Sequence, residues 1–271
     1  MRDVYVEGPT DVGFIRWFLD ERAVGPVGVF SVSDRVLVGR ELLEQLSLTS
    51  GEKQRVQALA IMAHRTLAPG QRAVTCIVDA DLDHLIGPLI IERSCLITTE
   101  VPSLESYVLA EQPMRRLLNR GLHIGESASA ESVIDAIVPT LRAAVAARAA
   151  LHAFGIGCID DVTKACDAVK GDVPLVIKEV VTRSIAKIRV AERPVPIDVI
   201  VNWAIDLAMV AENERQDGRG HDIAPIMVKH LGLKGGLANR EAIEAVMRSS
   251  VEVSDLLGCR TFTELEKRLT A

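Results

Sequence analysis

The chain has 271 residues, of which 48% are hydrophobic and 3% aromatic, and it carries a net charge of −6. This is enough chain for one large domain or two ordinary ones around a substantial core. The acidic balance argues against an indiscriminate polyanion binder, and the shortage of aromatics argues against a base-stacking platform for single strands.

The first part of the chain reads as alternating strands and helices. A strand is predicted over Val4–Glu7, then a helix capped by Thr10 that runs through Phe14, Ile15, Trp17, Phe18 and Leu19. A second strand, Val27–Val32, follows the breakers Gly25 and Pro26. Helices are predicted over Glu41–Leu46 and Lys53–Leu67, strands over Ala73–Val78 and Cys95–Thr98, and a further helix from near Leu104. Such alternation points to βαβ units and a mostly parallel sheet. From Pro113 the period becomes helical, over Ala130–Phe154, Ile159–Val169, Val173–Val190 and Ile197–Asn213. A polar turn, Asp217-Gly218-Arg219-Gly220-His221-Asp222, precedes two or three shorter helices. The expected fold is therefore an α/β domain over residues 1–112 followed by an all-helical domain over residues 113–271.

The most apolar stretch, Val133 to Ala150, is interrupted by Asp135, Arg142 and Arg148 and reads as a soluble helix, not a membrane span. No charged n-region followed by an apolar h-region opens the sequence, so a cytoplasmic protein is expected. The five cysteines fit that reading: they are odd in number and lack Cys-x-x-Cys or Cys/His ligand spacing. They are expected to be packing residues, with no zinc site.

Two apolar runs end abruptly in carboxylates, Val4-Tyr5-Val6-Glu7 and Thr75-Cys76-Ile77-Val78-Asp79-Ala80-Asp81-Leu82-Asp83. Buried parallel strands look like this when their C-terminal ends open into a site, the place where open α/β sheets bind ligands. Glu and Asp delivered to one edge make an all-oxygen cluster suited to Mg²⁺ or Mn²⁺. Glu7 sits in an apolar strand where its charge needs a metal or a hydrogen-bond donor; the alternative is a strand-end carboxylate that caps the next helix with Thr10. Asp79, Asp81 and Asp83 alternate, which in extended structure puts all three on one face. An EF-hand is excluded, because His84 stands where that loop needs Gly and Ile90 where it needs Glu. Glu105 reads either as an ordinary first-turn helix Glu, favoured by the macrodipole, or as a further ligand. His221 reads as a solvent-facing turn residue or as a phosphate contact or proton shuttle, with an unperturbed pKa of ~6.5. Lys178, Arg183, Lys187 and Arg189 form a basic stripe on one predicted helix, either a solvated face or a phosphate contact. The phosphate-binding loop ending in Gly-Lys-Ser/Thr does not occur, so the chain alone is not a P-loop ATPase.

The order Glu-Gly, then a strand ending in Asp-x-Asp, resembles the Toprim domain of topoisomerases, primases and OLD-type nucleases. Glu7-Gly8-Pro9-Thr10-Asp11 is similar to the Glu-Gly-x-Ser/Thr-Asp form of the OLD branch. The segment from Ile97 through Glu105, Ser106 and Tyr107 to Leu109 resembles the strand-then-Ile-Glu-Asn-Tyr signature of small OLD-like Toprim proteins, among them the effector subunit of the PARIS phage-defence system. Gly220-His221-Asp222-Ile223 resembles that family's later Gly-Lys-Asp motif, with His for Lys; Pro9 and Ser106 are further departures. The resemblance implies a Toprim nuclease using Mg²⁺ or Mn²⁺, with Glu7, Asp11, Asp79, Asp81, Asp83 and Glu105 as ligands. Glu7, Asp79, Asp81 and His221 would take part in catalysis. It further implies a nucleic acid substrate, RNA such as tRNA, a separate ABC-type ATPase partner, a toxic effector role in phage defence, and a homodimer as one state of the chain. An OLD-type DNA nuclease and a non-catalytic metal-binding regulatory module are the competing expectations. Tyr5 and Tyr107 are the only tyrosines and both lie within the Toprim-like part, so no candidate exists for a topoisomerase's transesterifying tyrosine.

Overall fold

Four short strands pair in parallel in the order β2-β1-β3-β4: β1 Arg2–Val6, β2 Val27–Ser31, β3 Val74–Val78 and β4 Leu96–Thr98. In this computed structural model, the residues described are 2–68, 73–87, 95–124, 128–159, 162–167, 172–186, 188, 195–213, 218 and 220–270. The chain divides into two compact units, one drawn from Met1–Ala80, Pro88–Glu100 and Val253–Ala271, the other from Asp81–Gly87 and Val101–Glu252. The fold is α/β, an all-parallel sheet flanked by helices and followed by a mostly helical C-terminal region. Among the described residues, no helix is long and apolar enough to cross a membrane.

In the first unit, β1 runs into helix α1 (Pro9–Glu21), which leads to β2 on one side of β1. Helices α2 (Val32–Arg35), α3 (Arg40–Gln45) and α4 (Glu52–Thr66) then lead to β3 on its other side. Right-handed crossovers in opposite directions put the two sets of helices on opposite faces. Side-chain alternation follows: Tyr5, Cys76 and Val78 join Val56, Ala60 and Ile61 in one core cluster, while Val4 and Val6 point to the other face and are equally buried. The helix expected to be capped by Thr10 begins two residues earlier. Gly8 is its N-cap, and Pro9 takes the first turn, where its missing N–H costs nothing.

Helices α13 (Val253–Leu256) and α14 (Arg260–Thr270) belong to this first unit as well. Phe262 of α14 packs against Phe18 of α1 with ring centroids 4.6 Å apart and planes tilted by 51°, and lies near Phe14 at 6.2 Å. Such a pair adds about 0.5–1.5 kcal/mol to the burial of the rings. Arg268 donates to the carbonyl of Leu96 at 3.1 Å, and Arg22 pairs with Glu266. Glu100, just beyond β4, caps α14 from outside: its Oε2 accepts from the amide of Thr261 at 2.7 Å and from its hydroxyl at 2.6 Å. Burial and then the Glu100 carboxylate push the neighbouring Cys259 thiol up to about 12, which keeps it protonated and unreactive near neutrality.

The second unit is built on α7 (Ala130–Ala153), capped by Ser129, whose hydroxyl accepts from the Ser132 amide at 3.0 Å. Its run from Ala143 to Ala147 is fully buried, and small side chains there let neighbouring helices approach closely. Around it pack α9 (Val173–Ile185), α10 (Ile197–Asn213) and α11 (Gly220–His230), with α12 (Arg240–Ser249) against α11. The segment from Leu104 is helical as expected but tighter, a 3-10 helix over Leu104–Leu109, followed by α6 (Glu111–Arg116) and a π-helical turn over Leu117–Gly121. The helix expected over Ile159–Val169 is reduced to α8 (Thr163–Asp167), with residues 160, 161, 168 and 169 outside the described residues. The expected Val173–Val190 helix ends at Ile185.

The carboxylate of Glu100 makes two charge-assisted hydrogen bonds to one helix end. Glu100→Ala should therefore lower the stability of the unit by about 2 kcal/mol, read as a reduced urea midpoint with an unchanged slope.

Candidate functional site

The strand order reverses between β1 and β3, because α1 carries the chain one way and α4 brings it back the other. In open α/β sheets a crevice forms at such a point beyond the carboxyl ends of the strands. Glu7 is the first residue past β1 and Asp79 the first past β3. They meet across the reversal: the Asp79 amide donates to Glu7 Oε1 at 2.9 Å. Asp11, in the first turn of α1, accepts the Gly8 amide on Oδ2 at 3.0 Å. The Ala80 amide donates to Thr99 Oγ1 at 2.9 Å, and Lys53 from α4 donates to the Ala80 carbonyl at 3.2 Å. Glu7, Asp11 and Asp79 are thus gathered at one edge, each half-buried.

Asp81 and Asp83 belong to the second unit. The extended alternation expected for Asp79, Asp81 and Asp83 is not formed. The strand stops at Val78, Asp81 takes a left-handed conformation with φ 49°, and Asp83 opens the short helix α5 (Asp83–Ile86). Aspartate tolerates that conformation better than most residues, and here the Asp81 amide is held by the Pro102 carbonyl at 2.9 Å.

Glu105 is also in the second unit, where it pairs with Arg248 at 2.9 Å. The two later segments singled out in the sequence meet there. Ser106 Oγ donates to the Gly218 carbonyl at 2.9 Å, and Gly220 packs so closely that a methyl group on it would collide with Ser103 Oγ and Glu105 Oε2. Gly220, His221 and Asp222 form the first turn of α11 instead of the polar turn expected; Arg215, Asp217 and Arg219 lie outside the described residues. His221 is exposed, with Nδ1 3.2 Å from Glu244 Oε1. Burial alone would raise the Glu244 carboxyl, but hydrogen bonds and charge from Arg240 and His221 outweigh it and hold Glu244 below the usual carboxylate range. Asp222 turns inward, 2% exposed, and grips Arg148 of α7 through two hydrogen bonds of 3.0 and 3.1 Å. Of the basic stripe, Lys178 is exposed and Arg183 is paired with Glu179; Lys187 and Arg189 lie outside the described residues.

The donors at the sheet edge are all oxygens, the chemistry that Mg²⁺ and Mn²⁺ select. Their arrangement is less complete: among the described residues, no group of three or more His, Cys, Asp or Glu stands positioned to hold a metal ion. Glu7 and Asp11 each give an oxygen to a backbone amide.

Sequence reasoning missed Lys53, Arg148 and Arg248. A lysine in the first turn of a helix opposes the macrodipole, and that mismatch was the available signal for Lys53. Arg148 stands out as a charge inside a buried alanine run. Nothing local marks Arg248.

Asp222→Asn leaves the Arg148 charge buried with half its partner, and a loss of about 3–5 kcal/mol is expected by urea denaturation. Replacing both residues by Leu and Met should recover most of it, which a reacting group would not allow for activity. No protein-family model matches this chain, and neither does any curated protein or solved structure.

Proposed function

We propose that the protein is a metal-dependent Toprim nuclease that hydrolyses phosphodiester bonds in RNA, and that it serves as the toxic effector of a phage-defence system beside a separate ABC-type ATPase. The hydrogen bond from the Asp79 amide to Glu7 at the switch point carries the reading. Two carboxylates from adjacent strands at that position are well suited to accept protons from an attacking water. The all-oxygen donor set supports Mg²⁺ or Mn²⁺ as the cofactor, which would polarise the phosphate and lower the pKa of water. The choice of RNA, tRNA in particular, and the ATPase partner rest on the motif resemblance alone.

A second reading has an observation of its own. Glu7 and Asp11 already hold the amides of Asp79 and Gly8, as residues of a non-catalytic module would.

Purified protein incubated with total tRNA and with plasmid DNA, in Mg²⁺, Mn²⁺ or EDTA, decides between the readings. Metal-dependent cutting of tRNA is expected, reduced about 10³-fold in Asp79→Ala and in Glu7→Gln, which keeps an oxygen for the Asp79 amide. Cutting of DNA alone would move the reading to an OLD-type DNA nuclease. The non-catalytic module would be indicated by no cutting, with or without the ATPase, together with a large stability loss in Glu7→Ala.

A further inference from the structure

Six large apolar side chains stand exposed among the described residues, and four of them, Leu175, Val199, Met209 and Val210, belong to α9 and α10 of the second unit. Apolar residues scattered singly over a surface need no explanation, whereas clustered ones mark a binding face. The two helices pack against each other and against α7. On α9 the outward line is Leu175, Lys178, Thr182 and Ala186, spaced i, i+3, i+7, i+11, and all four are exposed. On α10 it is Val199, Trp203, Asp206 and Val210, spaced i, i+4, i+7, i+11 and exposed except for the half-buried Trp203. Steps of three and four residues are those of a seam that receives a partner helix. Each line holds one charge, and the signs are opposite. Among the described residues, neither Lys178 nor Asp206 is in an ion pair.

Run antiparallel, the two lines match step for step. Leu175 falls opposite Val210, Lys178 opposite Asp206, Thr182 opposite Trp203 and Ala186 opposite Val199. Within one chain both lines face solvent, but two copies related by a two-fold axis can cover them, and the axis makes each pairing twice. We propose that the outward faces of α9 and α10 form the interface of a two-fold dimer of this chain. In it, α9 of one copy lies antiparallel to α10 of the other, and Lys178 of each copy pairs with Asp206 of the other. Charge complementarity selects a second copy as the occupant. α10 holds no lysine or arginine along its length, while Glu179 and Arg183 on the flank of α9 are already paired with each other, which leaves Lys178 as that line's charge. Opposite charges within an apolar seam fix register and orientation more than affinity. The inference concerns assembly and is independent of the nuclease reading.

Sedimentation equilibrium of the full chain from about 1 to 100 μM should show a monomer–dimer equilibrium, since a face of two short helices lies at the small end of stable interfaces. Lys178→Glu and Asp206→Lys, each alone, are expected to raise the dissociation constant about tenfold or more, because each sets like charges opposite one another twice. Val210→Asp should weaken the dimer as well. All three positions are exposed, so the variants should keep the circular dichroism of the wild type. Mixed one to one, the two charge variants should associate with each other about as tightly as wild type, since every contact is then again between opposite charges. A rescue between separate chains is not available to a pairing made within one chain. A wild-type chain that stays monomeric throughout overturns the proposal. So does a dimer that neither charge variant weakens, or a mixture no tighter than the separate variants.

Discussion

The reversal of strand order between β1 and β3 is the constraint on which the candidate site depends. Parallel strands need crossovers of fixed hand, so a sheet that grows from its middle outward in both directions must leave a gap at its carboxyl edge. Glu7 and Asp79 flank that gap because each strand ends just before its carboxylate. The Glu7–Asp79 hydrogen bond, the Asp11 cap and the reach of Lys53 all follow from this. None of them requires a special backbone conformation. Each is the ordinary outcome of a helix starting or a strand stopping at that edge.

In the second unit, a buried ion pair has the organising role. Arg148 lies in the alanine-rich middle of α7, and its two hydrogen bonds to Asp222 fix the first turn of α11. That turn presents Gly220 to Glu105, which is in turn held by Arg248. Desolvating such a pair costs about as much as the attraction returns, so its contribution is to select one seating of α11 over others. The absence of a side chain on Gly220 is what lets the helix end come so near the carboxylate.

All four strands were legible in the sequence, three of them to within one residue at each end and β1 to within two, because β-branched runs have few other readings. So were Glu7 and Asp79 as strand-end carboxylates. Asp81 and Asp83 were less so: alternation implies one face only while the backbone stays extended, and the left-handed turn at Asp81 leaves no compositional trace. Asp11 reads equally well as a ligand or as a cap in the sequence, and its bond to Gly8 appears only with coordinates. The pairings of Glu105 with Arg248 and of Asp222 with Arg148 span long stretches of chain, and periodicity carries no information at that range. For the same reason α14, whose pattern matches any amphipathic helix, gave no sign that it belongs with the sheet.

The return of α14 to the first unit has a consequence for biosynthesis. A ribosome delivers the four strands early, but Phe262, the ring against which Phe18 packs, emerges only after every residue of the second unit has been made. Domains that fold during translation do so as their segments appear. The unit bearing Glu7 and Asp79 departs from this, because one of its helices, α14, is made after the whole second unit. Until α14 is made, Phe18 lacks the ring it packs against and Leu96 lacks the Arg268 guanidinium that bonds its carbonyl.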